Sequence, residues 1–148
     1  MKDILKEAYR LTREVSRLGF DWPEINSVLE KLEEELEEFR EALLTGDRKK
    51  MGEELGDLLF VMVNIARFLR IHPEKALEKT VKKFKSRFYY VEEALQKRGK
   101  SLRQSSLAEM DELWEEAKRA KARNPKHEIR ISKQIRNTQK PNAKPKNR

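Results

Sequence analysis

The sequence predicts an all-α protein, a helical bundle of about five helices. Apolar residues recur three or four positions apart in five successive segments, which is the spacing of one helix face. Glycine and proline are scarce before residue 120, and they fall mostly between those segments. No segment alternates between apolar and polar residues, as a half-buried strand would. Together these observations argue against a fold built on a β-sheet.

The first predicted helix covers residues 3–18. Six apolar residues share one of its faces: Ile4, Leu5, Ala8, Leu11, Val15 and Leu18. The segment at residues 19–23 breaks this helix. Asp21 is expected to cap the second helix, with Pro23 in the first turn, where a missing N–H is harmless. The second helix is then predicted from about residue 23 to residue 45.

Gly46 is expected to end the second helix, and Asp47 to cap a third helix that reaches about residue 70. The apolar stripe of the second helix contains Val28, Leu32, Leu36, Phe39 and Leu43. The third helix carries a broader apolar face, made of Leu55, Leu58, Leu59, Met62, Ile65, Ala66 and Leu69. These two helices are therefore predicted to pack against other helices.

The last two predicted helices follow the same spacing. The fourth runs from Pro73 to about residue 98, and Gly99 ends it. Ser106 and Glu109 carry the capping-box pattern, which opens a fifth helix to about residue 121. Five helices with broad apolar faces leave more apolar surface than a monomer covers, so we expect a homodimer or a higher homo-oligomer.

Charge divides the chain into a predicted domain at residues 1–120 and a basic tail at residues 121–148. The whole chain has a formal net charge of +8. The tail holds ten of the basic residues against Glu128 alone, so the predicted domain is nearly neutral. A tail of this composition is expected to be disordered. It predicts a weak contact with nucleic acid through phosphate neutralisation, or else a solubilising extension, since no aromatic residue lies among its charges.

Composition also excludes several classes of function. The chain has no cysteine, which excludes disulfides, thiolate zinc sites and cysteine nucleophiles. It has only two histidines, so a histidine-built metal site is not expected. No apolar run is long enough to cross a bilayer, and the N-terminus lacks a signal-peptide core. We therefore expect a cytoplasmic protein that makes no membrane contact.

Two pairs of carboxylates indicate a metal site. Glu35 and Glu38 lie three residues apart on the second predicted helix, and Glu54 and Asp57 on the third. Each such pair projects from one helix face, and the short turn between the helices would bring the pairs together. Four converging carboxylates repel one another unless a cation lies among them. Oxygen ligands without histidine or cysteine suit Mg²⁺, with Mn²⁺ as a substitute, and Mg²⁺ commonly shares its site with substrate phosphates.

Acidic runs on helices are more often a solvated face with partners one turn away, such as Lys31 with Glu35. Two details favour the metal site. Asp57 is followed at once by the most apolar stretch of the chain, so its face is expected to border the core. Gly56 inside a helix costs ~1 kcal/mol relative to alanine, which indicates close approach by a neighbouring backbone or a ligand.

Six motifs along residues 10–120 closely resemble, in order and nearly without gaps, the MazG family of all-α nucleoside triphosphate pyrophosphohydrolases. They lie at residues 19–23, 31–38, 53–60, 63–67, 83–88 and 113–118. The resemblance implies Mg²⁺-dependent hydrolysis of an NTP or dNTP to a nucleoside monophosphate and pyrophosphate, as nucleotide-pool housekeeping. It also implies an obligate oligomer. The basic tail is not part of the family pattern, and 148 residues leave no room for the second domain copy of the usual bacterial protein.

The resemblance carries site residues over to this chain. The implied metal ligands are Glu35, Glu38, Glu54 and Asp57. The implied nucleotide-binding residues are Lys83, Arg87, Trp114 and Lys118. Among the metal ligands, Glu38 is the candidate to take the proton from the attacking water.

The spacing of these four nucleotide-binding candidates can also be interpreted without the resemblance. Lys83 and Arg87 lie one helical turn apart and can reach one triphosphate together, although exposed ion pairs are the simpler alternative. Trp114 and Lys118 are spaced in the same way. The indole would stack on a base while the ammonium meets phosphate, or it would belong to the core or to a dimer interface.

Two alternative functions remain open from the sequence. One is a non-catalytic helical adaptor, in which the acidic helices are solvated and the basic tail holds the protein on nucleic acid. The other keeps the same metal chemistry with a narrower substrate, such as dUTP or a phosphoribosyl-nucleotide. Choice of base depends on pocket shape, which these motifs do not reveal.

Overall fold

The computed structural model describes residues 3–120 of the chain. They contain five α-helices: α1 (Ile4–Arg17), α2 (Ile25–Thr45), α3 (Arg48–Phe68), α4 (Pro73–Lys97) and α5 (Leu107–Arg119). A short 3₁₀ helix (Leu102–Gln104) precedes α5, and the described residues include no strand. The predicted all-α fold with five helices is confirmed. The tail at residues 121–148, predicted to be disordered, lies outside the described residues.

The described residues divide into two compact units, one that ends at Glu78 and one that begins at Lys79, with the division inside α4. The single domain predicted for residues 1–120 stays a prediction. Within residues 3–120, none of the helices combines the length and the apolar character required to span a bilayer.

Two predicted helix ends of the first unit are formed by the expected residues. The Asp47 side chain accepts hydrogen bonds from the backbone N–H groups of Lys49 at 2.9 Å and Lys50 at 3.3 Å, so it caps α3. Gly46 closes α2 with φ at 70°, a left-handed conformation that glycine adopts without strain. The two helices are therefore joined by a tight turn at the predicted place.

The start of α2 differs from the prediction. Asp21 does not cap this helix; Glu24 occupies the N-cap position and makes no side-chain cap hydrogen bond. The Asp21 carboxylate instead accepts two hydrogen bonds from the Arg67 guanidinium, at 2.5 and 2.8 Å. Two hydrogen bonds to a nearly buried guanidinium are stronger than one bond to a water-exposed backbone N–H. Asp21 therefore binds Arg67 and does not cap α2.

The start of α5 also differs in part. The Ser106 hydroxyl accepts from the Glu109 N–H at 3.2 Å, as expected of the N-cap. The Glu109 carboxylate does not return a bond to Ser106; it binds Arg98 at 3.0 Å and Lys100 at 3.1 Å. Hydrogen bonds from two charged side chains stabilise this carboxylate more than one bond from a backbone N–H would, because charge-assisted hydrogen bonds are about twice as strong as neutral ones. A complete capping box forms instead at Ser101, ahead of the 3₁₀ helix that the sequence did not predict.

In the first unit, α3 packs against both α2 and α1. Its small core contains Val28, Ala42, Val61 and Val63. Much of the apolar surface that the periodicity assigned to packing is nevertheless solvent-exposed in the single chain. The large apolar residues of α2 and α3 that are 38–55% exposed are Leu29, Leu36, Leu43, Leu55, Leu59, Phe60 and Met62.

The second unit is held by the C-terminal half of α4, the 3₁₀ helix and α5. Val91, Leu95 and Leu113 are each 1% exposed and form its centre. Four partly buried residues pack on them: Ala94, Leu102, Met110 and Trp114. The Tyr90 hydroxyl also lies 3.3 Å from a Glu116 carboxylate oxygen, which joins α4 to α5.

Candidate active site

The turn at residues 46–47 folds α3 back along α2 and sets the register between their acidic residues. Glu38 and Glu54 each lie eight residues from Gly46, so they meet at the same level of the hairpin. Glu35 lies one helical turn before Glu38 on α2, further from Gly46. One carboxylate oxygen from each of the three residues lies within 4.8 Å of the others, and we call this group the carboxylate trio.

Glu35 is the buried member of the carboxylate trio, only 5% exposed. Its Oε1 lies 2.7 Å from Lys31 Nζ on the preceding turn. Its Oε2 is buried, and no group in the described part of the chain hydrogen-bonds to it. A buried carboxylate oxygen without a partner is costly, so this atom is a position where a cation would be stabilising.

Electrostatic repulsion within the carboxylate trio is visible at Glu38. The negative charge of Glu35 raises the pKa of Glu38, with help from partial burial and from the charge of Glu54. Lys31 opposes this repulsion from one side, because it binds both Glu35 and Glu34, and its own pKa is raised by those two bonds. A single lysine leaves three carboxylates with a net negative charge.

Asp57, the fourth predicted ligand, is exposed on α3 one turn beyond Glu54, and it is not a member of the carboxylate trio. The side chain itself is exposed, but Val61 and Asn64, four and seven residues further along the same face of α3, are buried, so that face borders the core as expected. A close approach by a neighbouring backbone at Gly56 is not found within residues 3–120, because a Cβ added there would have no atom of another element within 4 Å. Close approach by a ligand at Gly56 stays a prediction. The role of Asp57 as a metal ligand stays a prediction.

The donor set fits the predicted ion. The carboxylate trio supplies oxygen atoms alone, which are the ligands that Mg²⁺ and Mn²⁺ prefer. Three protein oxygens also leave coordination positions for water and phosphate, which Mg²⁺ usually retains. The unpartnered Glu35 Oε2 and the raised pKa of Glu38 are both relieved by a divalent cation.

The predicted nucleotide-binding residues all lie in the second unit. The Arg87 guanidinium carbon is 5.9 Å from the centre of the Trp114 ring, a cation–π contact. The Trp114 ring also lies 5.2 Å from the Phe84 ring, and it packs on the buried centre of this unit. Trp114 is thus held in a fixed position beside Arg87. These contacts agree with the alternative in which Trp114 belongs to the core. They do not test whether its ring stacks on a base.

The two lysines of that set differ in their surroundings. Lys118 Nζ lies 2.7 Å from a Glu115 carboxylate oxygen, so it forms an ion pair within α5. Lys83 is exposed on α4, and no ion pair to it is found in residues 3–120. Lys83 is therefore the unpaired cation of the two.

Sequence reasoning missed a polar network that joins two of the six motifs. Arg67 Nη2 donates to Asn64 Oδ1 at 3.1 Å in addition to its two bonds with Asp21. Asp21 comes from the motif at 19–23, while Asn64 and Arg67 come from the motif at 63–67. All three line a cavity of about 510 Å³ together with Trp22. Only the joint occurrence of the two motifs could have indicated this arrangement.

An all-α fold whose helical hairpin presents three oxygen ligands defines a helical protein with a candidate divalent-metal site. The sequence model of the MazG nucleotide pyrophosphohydrolase domain matches residues 24–91 of this chain. That range includes the carboxylate trio, Asp57, Lys83 and Arg87, and it ends before Trp114. Residues 24–91 are therefore a MazG domain.

Individual relatives support the same assignment. The chain is 45% identical over 114 residues to a Thermotoga maritima protein named nucleoside triphosphate pyrophosphohydrolase/pyrophosphatase MazG, a match that covers 77% of this chain and 44% of the relative. It is 38% identical over 119 residues to an Escherichia coli K12 nucleoside triphosphate pyrophosphohydrolase, covering 78% of this chain and 44% of that protein. The chain thus spans less than half the length of these curated relatives.

Proposed function

We propose that this protein is a Mg²⁺-dependent nucleoside triphosphate pyrophosphohydrolase. It would hydrolyse an NTP or dNTP to a nucleoside monophosphate and pyrophosphate, and serve in housekeeping of the nucleotide pool. The observation that carries the proposal is the carboxylate trio with the unpartnered Glu35 Oε2, inside a MazG domain. The names of the Thermotoga maritima and Escherichia coli relatives support the same reaction.

The residues that would hold the ion are Glu35, Glu38, Glu54 and Asp57. When bound, the ion supplies neutralisation of the triphosphate charge and activation of a water molecule. In the reaction, the water oxygen bonds to the α- or the β-phosphorus and the P–O bond that bridges them breaks, so that a nucleoside monophosphate and pyrophosphate separate. Glu38 is the proposed acceptor of the water proton.

Lys83, Arg87 and Lys118 are proposed to bind the phosphates and to stabilise the charge that develops on pyrophosphate. Arginine suits two-point contact with phosphate oxygens, and lysine acts as a point charge. Trp114 is proposed to serve this set by fixing the Arg87 guanidinium through the cation–π contact. Lys118 would then exchange its Glu115 partner for a phosphate.

The test is pyrophosphate release by the purified chain from each of the NTPs and dNTPs, with and without Mg²⁺. We expect release that depends on Mg²⁺ and falls by about 10²-fold or more in Glu38→Gln and Asp57→Asn. Glu37→Gln is the matched control, because Glu37 neighbours Glu38 but is 62% exposed and pairs with Arg40. No release from any nucleotide, or full activity in both variants, would overturn the proposal.

The same nucleotide panel decides the substrate range. Release from dUTP alone would establish the narrower enzyme, and a phosphoribosyl-nucleotide belongs in the panel for the same reason. Incubation in heavy-oxygen water shows which phosphorus is attacked, since the label appears in either the monophosphate or the pyrophosphate.

The basic tail is proposed to make a weak contact with nucleic acid. Its net charge of +9 is the support, because each neutralised phosphate releases counterions. Affinity for RNA or DNA should fall steeply with salt and be lost on deletion of residues 121–148. Binding of this kind without hydrolysis would favour the non-catalytic adaptor. The cytoplasmic location stays a prediction.

A further inference from the structure

We infer that Lys31 is an internal counter-ion of the proposed metal site: it neutralises Glu35 when no metal is bound, and it competes with a divalent cation for that carboxylate. The inference rests on the proposed function and extends it, because it concerns what sets the metal affinity of the same site. Lys31 lies on α2, one helical turn before Glu35. It is then a positioning residue and not a metal ligand.

Lys31 binds two carboxylates that lie in different surroundings. Its Nζ is 2.7 Å from Glu35 Oε1 and 3.1 Å from Glu34 Oε1. The Glu35 side chain is 7% exposed, whereas the Glu34 side chain is 59% exposed. The ammonium group therefore lies between the buried member of the carboxylate trio and solvent. In this position it neutralises the charge that water can least stabilise.

A second lysine–glutamate pair shows that spacing alone does not produce such a contact. Lys49 and Glu53 on α3 have the same order and the same four-residue spacing, but their charged atoms are 3.9 Å apart and both side chains are well exposed. The order with lysine first is also the less favourable one for an isolated helix. We therefore attribute the short bond between Lys31 and Glu35 to the burial of Glu35, since buried ion pairs are screened less than exposed ones.

Lys31 satisfies only one of the two oxygen atoms of Glu35. The other, Oε2, is buried and accepts no hydrogen bond from residues 3–120. Glu38 and Glu54 each bring one carboxylate oxygen to within 4.8 Å of Glu35. One ammonium group thus holds Glu35 in place but leaves the carboxylate trio negatively charged, so the trio still attracts a divalent cation.

A divalent cation at Glu35 must share the carboxylate with Lys31 or displace the ammonium group from it. Sharing brings two positive charges to one carboxylate, where the partly buried surroundings make their repulsion stronger than in water. Displacement breaks the 2.7 Å ion pair. Both routes lower the affinity of the site for the metal. Lys31 therefore stabilises the protein without metal and weakens the binding of metal.

The test measures binding of Mn²⁺ alone to the full chain, without nucleotide, by electron paramagnetic resonance of the free ion. Lys31→Met removes the charge and keeps an unbranched side chain. We expect its Kd for Mn²⁺ to fall about tenfold below that of the parent protein, because the competing charge is gone. Lys31→Arg keeps a positive charge and should stay close to the parent. Lys49→Met is the matched control, because it removes the lysine of the exposed pair.

Thermal unfolding provides a second readout that does not depend on activity. In EDTA, the midpoint temperature of Lys31→Met should lie ~5 °C or more below that of the parent, because Glu35 becomes a buried charge without a partner. Mn²⁺ should remove most of this difference. The double variant Lys31→Met/Glu35→Gln has no such charge, so its midpoint in EDTA should return toward that of the parent. Lys49→Met should unfold with the parent.

The outcomes distinguish this inference from the proposed function. Mn²⁺ binding that is unchanged or weaker in Lys31→Met overturns the counter-ion role, while Mg²⁺-dependent hydrolysis by the parent still supports the proposed function. A Lys31→Met protein as stable in EDTA as Lys49→Met also overturns it, whereas one that folds only with Mn²⁺ supports it. Tighter Mn²⁺ binding in Lys31→Met, in a protein that hydrolyses no nucleotide, supports the counter-ion role and overturns the proposed reaction. Absence of Mn²⁺ binding in all these proteins overturns both.

Discussion

Asp21 and Arg67 show how a single pair of residues can override a local preference. Asp21 has the sequence position of a helix cap, but it binds a guanidinium 46 residues away along the chain. The Arg67 bonds lower the pKa of Asp21, chiefly through the side-chain hydrogen bond itself. The pair holds the loop at residues 18–24 against α3, and thereby shapes the cavity of about 510 Å³ that Trp22 and Asn64 line.

This pair predicts a pH-dependent contribution to stability. Because the pKa of Asp21 is lower in the folded protein, its contribution is fully present above the unfolded-state pKa of ~3.9 and is lost as pH falls through the folded value. At pH 7, Asp21→Asn should lower the free energy of unfolding by ~2 kcal/mol. The difference from the parent protein should shrink below pH ~4.

Urea denaturation at pH 7 and at pH 3 measures both quantities. Asp111→Asn is the control, since Asp111 is exposed and should change stability by less than ~0.5 kcal/mol. An Asp21→Asn protein as stable as its parent at pH 7 would show that the ion pair contributes nothing to the fold.

At the scale of elements, the hairpin of α2 and α3 determines whether the carboxylate trio forms. The register depends on the tight turn, because Glu38 and Glu54 are equally distant from Gly46. Gly46 adopts φ at 70°, which an L side chain rarely does. The turn residue therefore affects both stability and the geometry of the proposed metal site.

We expect Gly46→Ala to lower the free energy of unfolding by ~1 kcal/mol, because alanine is strained in the left-handed conformation. Gly52→Ala is a matched control within α3. A Cβ there meets open space, so alanine should raise stability by up to ~1 kcal/mol through helix propensity. Thermal or urea unfolding of both variants measures the difference. Equal stabilities would argue against strain at Gly46.

The helices themselves were largely predictable, since caps and periodicity are local. α3, α4 and α5 begin at the residues that Asp47, Pro73 and Ser106 indicated. The start of α2 and the partner of the Glu109 carboxylate were predicted wrongly, because a distant or neighbouring cation outcompetes a backbone amide. Within the candidate site, the spacing of acidic residues in the sequence indicated the carboxylate pairs. The same spacing could not predict the cavity around Asn64.

At the scale of the molecule, the proposed ion should stabilise the fold. A cation that binds the folded state alone adds ~2.7 kcal/mol when its concentration is one hundred times Kd. The midpoint temperature of thermal unfolding should therefore rise on addition of Mg²⁺ or Mn²⁺ and fall back to its metal-free value when EDTA is added. Glu38→Gln should weaken the shift, while Glu37→Gln keeps it. An unfolding temperature that does not respond to either metal contradicts the proposed metal site.

The exposed apolar surface predicts an oligomer. Several large apolar residues of α2 and α3 are 38–55% exposed, which is more than a monomer usually leaves on contiguous faces. We propose a homodimer or larger assembly that covers them. Light scattering at micromolar concentration should give at least twice the 17.6 kDa of one chain. Leu59→Glu should dissociate the assembly, and a monomeric mass for the parent protein would contradict the proposal.

The sequence by itself determined the helical fold class, the helix ends with local caps, and the spacing of the carboxylates. These features depend on residues within about one helical turn of each other. Only the tertiary structure decided that Asp21 pairs with Arg67, that Asp57 stands apart from the carboxylate trio, and that a cavity opens beside Asn64. These depend on how separate helices pack, because contacts between residues distant along the chain are set by competition among all available partners.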